Sequence, residues 1–129
     1  MDDTGTITRI TGVRTIGVPV RDQDKALEFY TTVLGFSKRL DVPTPLGTRW
    51  IEVGPPGDGP SIALVKESDR VGAGVETGIR LTTADADADH ATLLARGVDA
   101  SELLRWPGVP PMFAFRDQDG NGLELVQQA

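Results

Sequence analysis

The chemistry open to this 129-residue chain is limited by the reactive side chains it contains. It has no cysteine, which excludes a disulfide framework, a thiolate zinc or iron–sulfur site and a thiol nucleophile. Its one histidine, His90, lies within the helical pattern ADADADHATLLARG. An imidazole could bind a metal or act as a general base there, but a structural position on a helix is the stronger expectation. The other candidates are carboxylates, tryptophans and arginine, whose roles depend on the elements that hold them.

The charge of the chain restricts its partners. Lys and Arg number 13 and Asp and Glu number 19, which gives a formal net charge of −6. An acidic chain without a basic cluster is poorly suited to a phosphate backbone, so no nucleic-acid partner is expected. No apolar run reaches the roughly 18–20 residues of a membrane span, so no membrane partner is expected. The acidic start, Met1 to Thr4, lacks the features of a signal peptide, which predicts a cytoplasmic protein.

An internal repeat organises the chain. Residues 13–35 and 76–97 both contain an alternating apolar stretch, an Asp and a helical pattern closed by Gly, and they start 63 positions apart. Two copies at such a period indicate a duplicated module rather than a solenoid. The expected organisation is a single domain, residues 1–129, with module 10–66, linker 67–75 and module 76–127.

Each module is predicted to fold as a βαβββ unit. Residues 15–20 alternate like a strand, Asp22 is a suitable helix N-cap, and Gly35 is suited to end the helix. Asp85 and Gly97 repeat these two signals in the second module. Neither module should bury enough surface alone, so the two sheets are expected to associate. The strands expected after the two helices are 37–42, 49–53 and 61–66, then 100–105, 112–116 and 123–127.

Two motifs resemble those of a known family. FYTTVLGF closes the first helix and DQDGNGLELV lies near the C-terminal end. With the tandem βαβββ unit, they make residues 10–127 resemble the vicinal oxygen chelate superfamily of glyoxalases, bleomycin resistance proteins and extradiol dioxygenases. Gln118 departs from the family, which usually has Pro in this turn. The resemblance implies an α+β fold whose mixed sheets curl into a cup, with helices on the outer face and small molecules bound inside.

The resemblance also implies where a metal would be held. Enzymes of the family bind a divalent ion through the first and fourth strands of each module, and the ion polarises two neighbouring substrate oxygens. The equivalent positions here are Thr15, Ala63, Gly78 and Glu124. Only Glu124 offers a strong ligand, and one carboxylate is not expected to hold a catalytic ion. Neither a metal nor another cofactor is therefore expected.

Alternation along the implied strands predicts which side chains line the cup. Ile51, Val53, Phe113 and Phe115 should face the helices, and their neighbours should then point into the cup. The predicted ligand-binding residues are Trp50, Glu52, Arg80, Trp106, Met112 and Glu124.

Structural roles remain open for several of these residues. Trp50 could be an ordinary packing residue or an oligomer contact. Trp106, in a Pro-rich loop, could stack on a planar ligand or cover the edge of the core. Arg80 could form a structural ion pair with Glu124 or Glu52.

Three classes of function remain open on the sequence. The leading interpretation is a metal-free small-molecule binding protein, similar to family members that sequester an antibiotic or a toxic metabolite. The alternative is a lyase, isomerase or dioxygenase with an altered site, in which Glu52 and Glu124 would meet in one cup. The third is a regulatory or subunit role with the cup filled by side chains.

The expected ligand is planar or aromatic, and neutral or cationic, because the protein and the predicted lining are acidic. The expected assembly is a homodimer in which each cup combines residues 10–66 of one chain with residues 76–127 of the other.

Overall fold

The computed structural model describes residues 5 and 7–128 and confirms the α+β fold. The prediction drawn from Met1 to Thr4 lies outside the described residues. No helix in the described part of the chain is long and apolar enough to cross a membrane. The elements in chain order are β1 (Thr15–Val20), α1 (Gln23–Glu28) followed by a π-helical turn (Phe29–Val33), β2 (Ser37–Pro43), β3 (Arg49–Gly54), β4 (Ser61–Lys66), β5 (Glu76–Thr83), α2 (Ala86–Ala95), β6 (Met112–Arg116) and β7 (Gly122–Gln127).

The local signals place the helices as predicted. The side chain of Asp22 caps α1 and that of Asp85 caps α2, each by accepting backbone N–H bonds from the first turn. Gly35 and Gly97 follow the helical segments with φ angles of 80° and 79°, in the left-handed region that favours glycine. One difference is that α1 ends at Glu28 and the chain reaches Gly35 through the wider π-helical turn.

The strands form two open sheets. Sheet A has the order β1-β4-β3-β2, and sheet B has the order β5-β7-β6. In each sheet the first strand of the module runs parallel to the last, and the remaining pairs are antiparallel. Consequently β1 and β5 are both edge strands, each with one side unpaired within the described chain.

The strand predicted over residues 100–105 was wrong. Ala100 and Leu104 make only isolated bridges to β6, and sheet B therefore has three strands. Between the bridges, the Ser101 carbonyl accepts a hydrogen bond from His90 Nε2 at 2.8 Å, and Leu103 packs against the core. The segment also keeps backbone hydrogen bonds to β6, for example from the Ser101 N–H to the Ala114 carbonyl at 2.8 Å, but they do not form a regular strand.

Both modules share one hydrophobic core on the helix side of the sheets. Ile51 and Val53 of β3 and Phe113 and Phe115 of β6 are buried in it, which confirms the predicted faces of these two strands. Because core residues alternate with their neighbours, the intervening residues of β3 and β6 lie on the opposite faces of the sheets.

A buried polar cluster joins the modules. The Tyr30 hydroxyl donates to Asp117 Oδ2 at 2.8 Å, and Asn121 Nδ2 donates to the Pro19 carbonyl at 2.8 Å and to Asp117 Oδ2 at 3.0 Å. Asn121 Oδ1 accepts the backbone N–H groups of residues 74–75. Burial, reinforced by Asp117, raises the pKa of the Tyr30 phenol, which keeps it a proton donor. We call Tyr30, Asp117 and Asn121 the junction cluster.

Candidate functional site

The face of sheet A opposite α1 holds the first two predicted binding residues. Trp50 is 36 % exposed, and its Nε1–H donates to Glu52 Oε2 at 2.8 Å. Glu52 is only 6 % exposed. The structure therefore places an accessible indole beside an almost buried carboxylate, on the side of the sheet that carries no helix.

The strand register defines the surroundings of this pair. Leu40 and Ala63 lie opposite Glu52 on the two neighbouring strands, and Gly17 lies beyond Ala63 on β1. Val42 lies opposite Trp50, and both side chains are exposed. We call this surface face A; its main residues are Leu40, Val42, Trp50, Glu52, Ala63 and Val65.

The corresponding face of sheet B holds three further predicted residues. Arg80 Nε lies 3.9 Å from Glu124 Oε1, and Arg80 Nη2 lies 3.6 Å from Met112 Sδ. The arginine and the glutamate are both about half exposed, so their ion pair contributes little to stability. We call Arg80, Met112 and Glu124 face B; they present one positive, one negative and one apolar group to the same surface.

The last predicted residue, Trp106, belongs to neither face. It is 60 % exposed in the turn before β6, where its carbonyl accepts a hydrogen bond from the Val109 N–H at 3.2 Å. The loop leads directly into Met112, so Trp106 stands near the edge of face B.

Polar contacts do not connect the two faces within the described part of one chain. Among residues 5 and 7–128, no hydrogen bond or ion pair links face A to face B. Glu52 bonds to Trp50, whereas Glu124 pairs with Arg80. Within one chain, the two carboxylates proposed for an acid–base pair thus contact different side chains.

The residues at the four family metal positions do not fit a divalent ion. Thr15 and Ala63 belong to sheet A, whereas Gly78 and Glu124 belong to sheet B. Gly78 has a φ of 73° at an irregular register, a backbone conformation in which a ligating side chain would be strained. The described residues contain no group of three or more His, Cys, Asp or Glu placed to hold a metal.

His90 has the structural surroundings expected for it. Its ring packs edge-on against Phe113, with centroids 4.9 Å apart, while Nε2 donates to the Ser101 carbonyl. Because His90 lies on α2, this hydrogen bond links the irregular 100–105 segment to that helix.

A separate cavity of about 440 Å³ lies on the helix side, between the modules. Core residues such as Ile62 and Phe115 form its wall, and Arg80 is its only predicted ligand-binding residue. At its rim, Asp89 accepts a hydrogen bond from Thr83, and Arg96 donates to a backbone carbonyl. Asp89 and Arg96 are thus partly engaged, but the wall also includes Arg80, Thr82 and Thr92, so this cavity is a second place suited to a small molecule.

Sequence reasoning missed Leu40 and Val42, since no face was assigned to β2. The register of the hairpin with β3 was the available signal, because positions opposite Trp50 and Glu52 share their face. Arg39 was also missed. Its guanidinium donates to four carbonyls of the 55–60 loop and to Ser61 Oγ, and so fixes the loop beside face A.

Comparison with known proteins identifies relatives in sequence and in fold. In sequence, the chain is 34 % identical over 120 residues to the uncharacterized protein YurT of Bacillus subtilis (strain 168), covering 84 % of this chain and 93 % of YurT. In structure, it matches TnmS3, an antibiotic binding protein from Streptomyces sp. CB03234, with a TM-score of 0.85 and 36 % identity over 95 % of this chain and 100 % of TnmS3.

A second structural relative, from Sphaerobacter thermophilus DSM 20745, matches with a TM-score of 0.87 and 35 % identity over 94 % of this chain and 100 % of its own. It is described as a member of the glyoxalase/bleomycin resistance protein/dioxygenase superfamily. Residues 12–125 match the sequence family of the same description. This chain, with its tandem modules and two open sheets, belongs to the glyoxalase/bleomycin resistance protein/dioxygenase superfamily.

Proposed function

We propose that the protein is a metal-free binding protein that sequesters a small molecule, such as an antibiotic or a toxic metabolite. The observation that supports this most is the Trp50–Glu52 pair on face A, where an exposed ring stands beside an almost buried acid. The ligand is planar or aromatic, neutral or cationic, and stacks on Trp50. The similarity to TnmS3, an antibiotic binding protein, supports the binding of a small molecule such as an antibiotic.

The proposal includes a homodimer in which face A of one chain and face B of its partner enclose each ligand. Within a single chain, each face would cover only one side of a ligand. A binding pocket usually buries most of its ligand, so a second face is needed. The unpaired edges of β1 and β5 favour the same assembly, since exposed sheet edges are commonly covered by a second chain. Trp50 and Glu52 would then meet Arg80, Met112 and Glu124 across the interface.

Tryptophan fluorescence tests the binding function. A set of planar aromatic amines, phenols and carboxylates is titrated into a Trp106→Phe protein, in which Trp50 is the remaining reporter. We expect saturable quenching by neutral or cationic rings and weaker responses to anions. Thr92→Phe serves as a control because residue 92 lies at the mouth of the helix-side cavity. If ligand binding is lost in Thr92→Phe but retained in Trp50→Ala, the binding site lies in that cavity.

Mixing two variants tests the shared cup. Trp50→Ala impairs face A, and a Met112→Ala/Glu124→Ala double variant impairs face B. In a dimer with cups built across chains, subunit exchange restores one intact cup in each mixed dimer, or about a quarter of all cups at random mixing. No recovery is expected if each site lies within one chain. Light scattering that gives a single-chain mass at micromolar concentration would also contradict the dimer.

The metal-free part of the proposal is tested by elemental analysis. Purified protein should contain no stoichiometric divalent ion, because three of the four family positions are Thr15, Ala63 and Gly78. One tightly held zinc, nickel, iron or manganese ion per chain would instead favour the alternative function, a lyase, isomerase or dioxygenase with an altered site.

A further inference from the structure

The Glu52 carboxylate has one oxygen that is hydrogen-bonded within the chain and one that has no partner among the described residues and is not buried. It is 6 % exposed, and the only hydrogen bond it receives from the described residues is from Trp50 Nε1 to Oε2. It takes part in none of the ion pairs formed among those residues. Although most of the residue is covered, Oε1 is reached by solvent and is therefore available to an N–H donor from outside the chain.

Asp117 supplies an internal comparison because it is also 6 % exposed. Its Oδ1 accepts the backbone N–H groups of Asp119 and Asn121 at 2.9 and 3.0 Å. Its Oδ2 accepts from the Tyr30 hydroxyl and from Asn121 Nδ2. Asp117 thus receives four hydrogen bonds and Glu52 one, although the two acids are equally exposed. Asp117 is saturated within the chain, whereas Glu52 keeps one oxygen open.

The position of Glu52 shows where a missing donor could approach. On the β1 side, the same cross-strand row continues through Ala63 to the exposed Gly17. These two positions carry only a methyl group and a hydrogen atom, so the β1 side of Glu52 is lined by small residues. The Trp50 N–H occupies Oε2 and leaves Oε1 to accept from a ligand.

We propose that Glu52 determines the specificity of the ligand site by accepting a hydrogen bond from a protonated amino group attached to the aromatic ligand. This inference rests on the proposed function and adds to it a requirement for an N–H donor. The ring stacks on Trp50 while the amino group reaches Glu52, whose Oε1 then accepts a hydrogen bond that no described residue of the same chain supplies. An aromatic cation without N–H groups can satisfy the charge but cannot donate the hydrogen bond.

Three naphthalene probes separate the effect of the ligand's charge from the effect of hydrogen-bond donation by the ligand. They are 2-naphthylmethylammonium, its N,N,N-trimethyl derivative and 2-naphthylmethanol. For the parent protein, we expect the primary ammonium to bind at least about tenfold more tightly than the trimethyl cation, because a site built around a buried acceptor penalises the loss of a donor. The alcohol, a neutral donor, should bind with intermediate affinity.

Glu52→Gln tests the residue itself. The amide oxygen can still accept the Trp50 N–H, but the carboxylate is removed, so the preference for the primary ammonium should fall below about threefold. Glu28→Gln removes the same charge from an exposed position on α1 and should leave the full preference intact. Without ligand, Glu52→Gln should melt within about 4 °C of the parent protein, because the amide oxygen keeps the Trp50 hydrogen bond and the other polar atom is open to solvent.

The outcomes distinguish this inference from the proposed function. Equal binding of the two cations to the parent protein, or a full preference in Glu52→Gln, would overturn the donor requirement and leave aromatic binding standing. A melting temperature lowered in Glu52→Gln by more than about 4 °C would identify Glu52 as a structural residue and would also overturn it. If no aromatic probe binds the parent protein, the proposed function fails, and the role of Glu52 fails with it.

Discussion

The junction cluster and face A differ in how completely their polar groups are hydrogen-bonded. At the junction, Asn121 is fully buried, and both its amide oxygen and its amide nitrogen are hydrogen-bonded to groups from other parts of the chain. On face A, the acid receives one hydrogen bond, and the neighbouring Trp50 and Val42 remain exposed. The first arrangement is complete within one subunit. The second has unused binding capacity, which is typical of a surface that receives another molecule.

This difference separates the recognisable motifs from face A, although Glu124 of face B lies within the motif DQDGNGLELV. Tyr30 and Asn121, which belong to the motifs, lie in the junction and hold the modules together. Trp50 and Glu52 lie outside both motifs. The two motifs therefore mark the junction cluster and do not include the residues of face A.

Gln118 marks an exception at the border of the junction. It stands where the family usually has Pro, and its Oε1 is buried without a hydrogen-bond partner among the described residues. Its Nε2 donates to Asp119 Oδ2 at 2.8 Å. The departure from the motif and the unpaired buried oxygen thus occur at the same position.

Asn121→Ala should have the largest effect, since it removes the centre of the junction. The change leaves the Pro19 carbonyl and two backbone N–H groups without their partner. We expect the free energy of unfolding to fall by about 3 kcal/mol or more. Urea denaturation followed by circular dichroism measures it, with the exposed Glu102→Ala as a control. A loss no larger than that of the control would show that the junction does not stabilise the fold.

Tyr30→Phe should have a smaller effect at the same place. The ring stays in the core, but Asp117 Oδ2 loses the hydroxyl donor and keeps Asn121 Nδ2. We expect a loss of about 1–2 kcal/mol in the free energy of unfolding, measured in the same denaturation experiment. If the double variant Tyr30→Phe/Asn121→Ala loses the sum of the two single effects, the cluster does not act as a coupled unit.

Trp50→Ala tests the opposite region, where binding should suffer more than stability. The indole is partly exposed and lies outside the shared core, so the variant should fold. Affinity for 2-naphthylmethylammonium should fall by roughly tenfold or more, because stacking and cation–π contacts are lost. Calorimetric titration measures it, with Trp106→Ala as the matched control. Unfolding of Trp50→Ala would assign the residue to the core instead.

Asp41→Asn should give the smallest effect and tests a surface ion pair that belongs to neither region. Hydrogen bonds from the Arg49 guanidinium lower the pKa of Asp41 below its ordinary value. A lowered pKa stabilises the fold above the unfolded-state pKa of about 3.9, and this contribution is lost as the pH falls through the folded-state pKa.

At pH 7 the variant should therefore melt about 1–3 °C below the parent protein, and the gap should close as the pH falls below about 4. Thermal melts across this range, with Asp58→Asn in an exposed loop for comparison, give the result. A gap that persists unchanged at low pH would attribute the effect to packing rather than to the charge.

The features that the sequence determined are those whose causes are local. Asp22 and Asp85 cap helices because each side chain reaches backbone N–H groups within three residues. The faces of β3 and β6 follow from alternation, which any extended chain imposes on successive side chains. The same rule indicated that Trp50 and Glu52 lie opposite the core.

The tertiary structure alone decided the features that depend on distant segments. Residues 100–105 have strand-like alternation, yet the segment makes only isolated bridges to β6. Its other contacts are with His90 of α2 and, through Leu103, with the core. Tyr30 and Asp117 are 87 positions apart, so no local pattern could show that they share a hydrogen bond. Nor could alternation show how many donors Glu52 receives, because burial and hydrogen bonding are set by what the rest of the chain packs around a side chain.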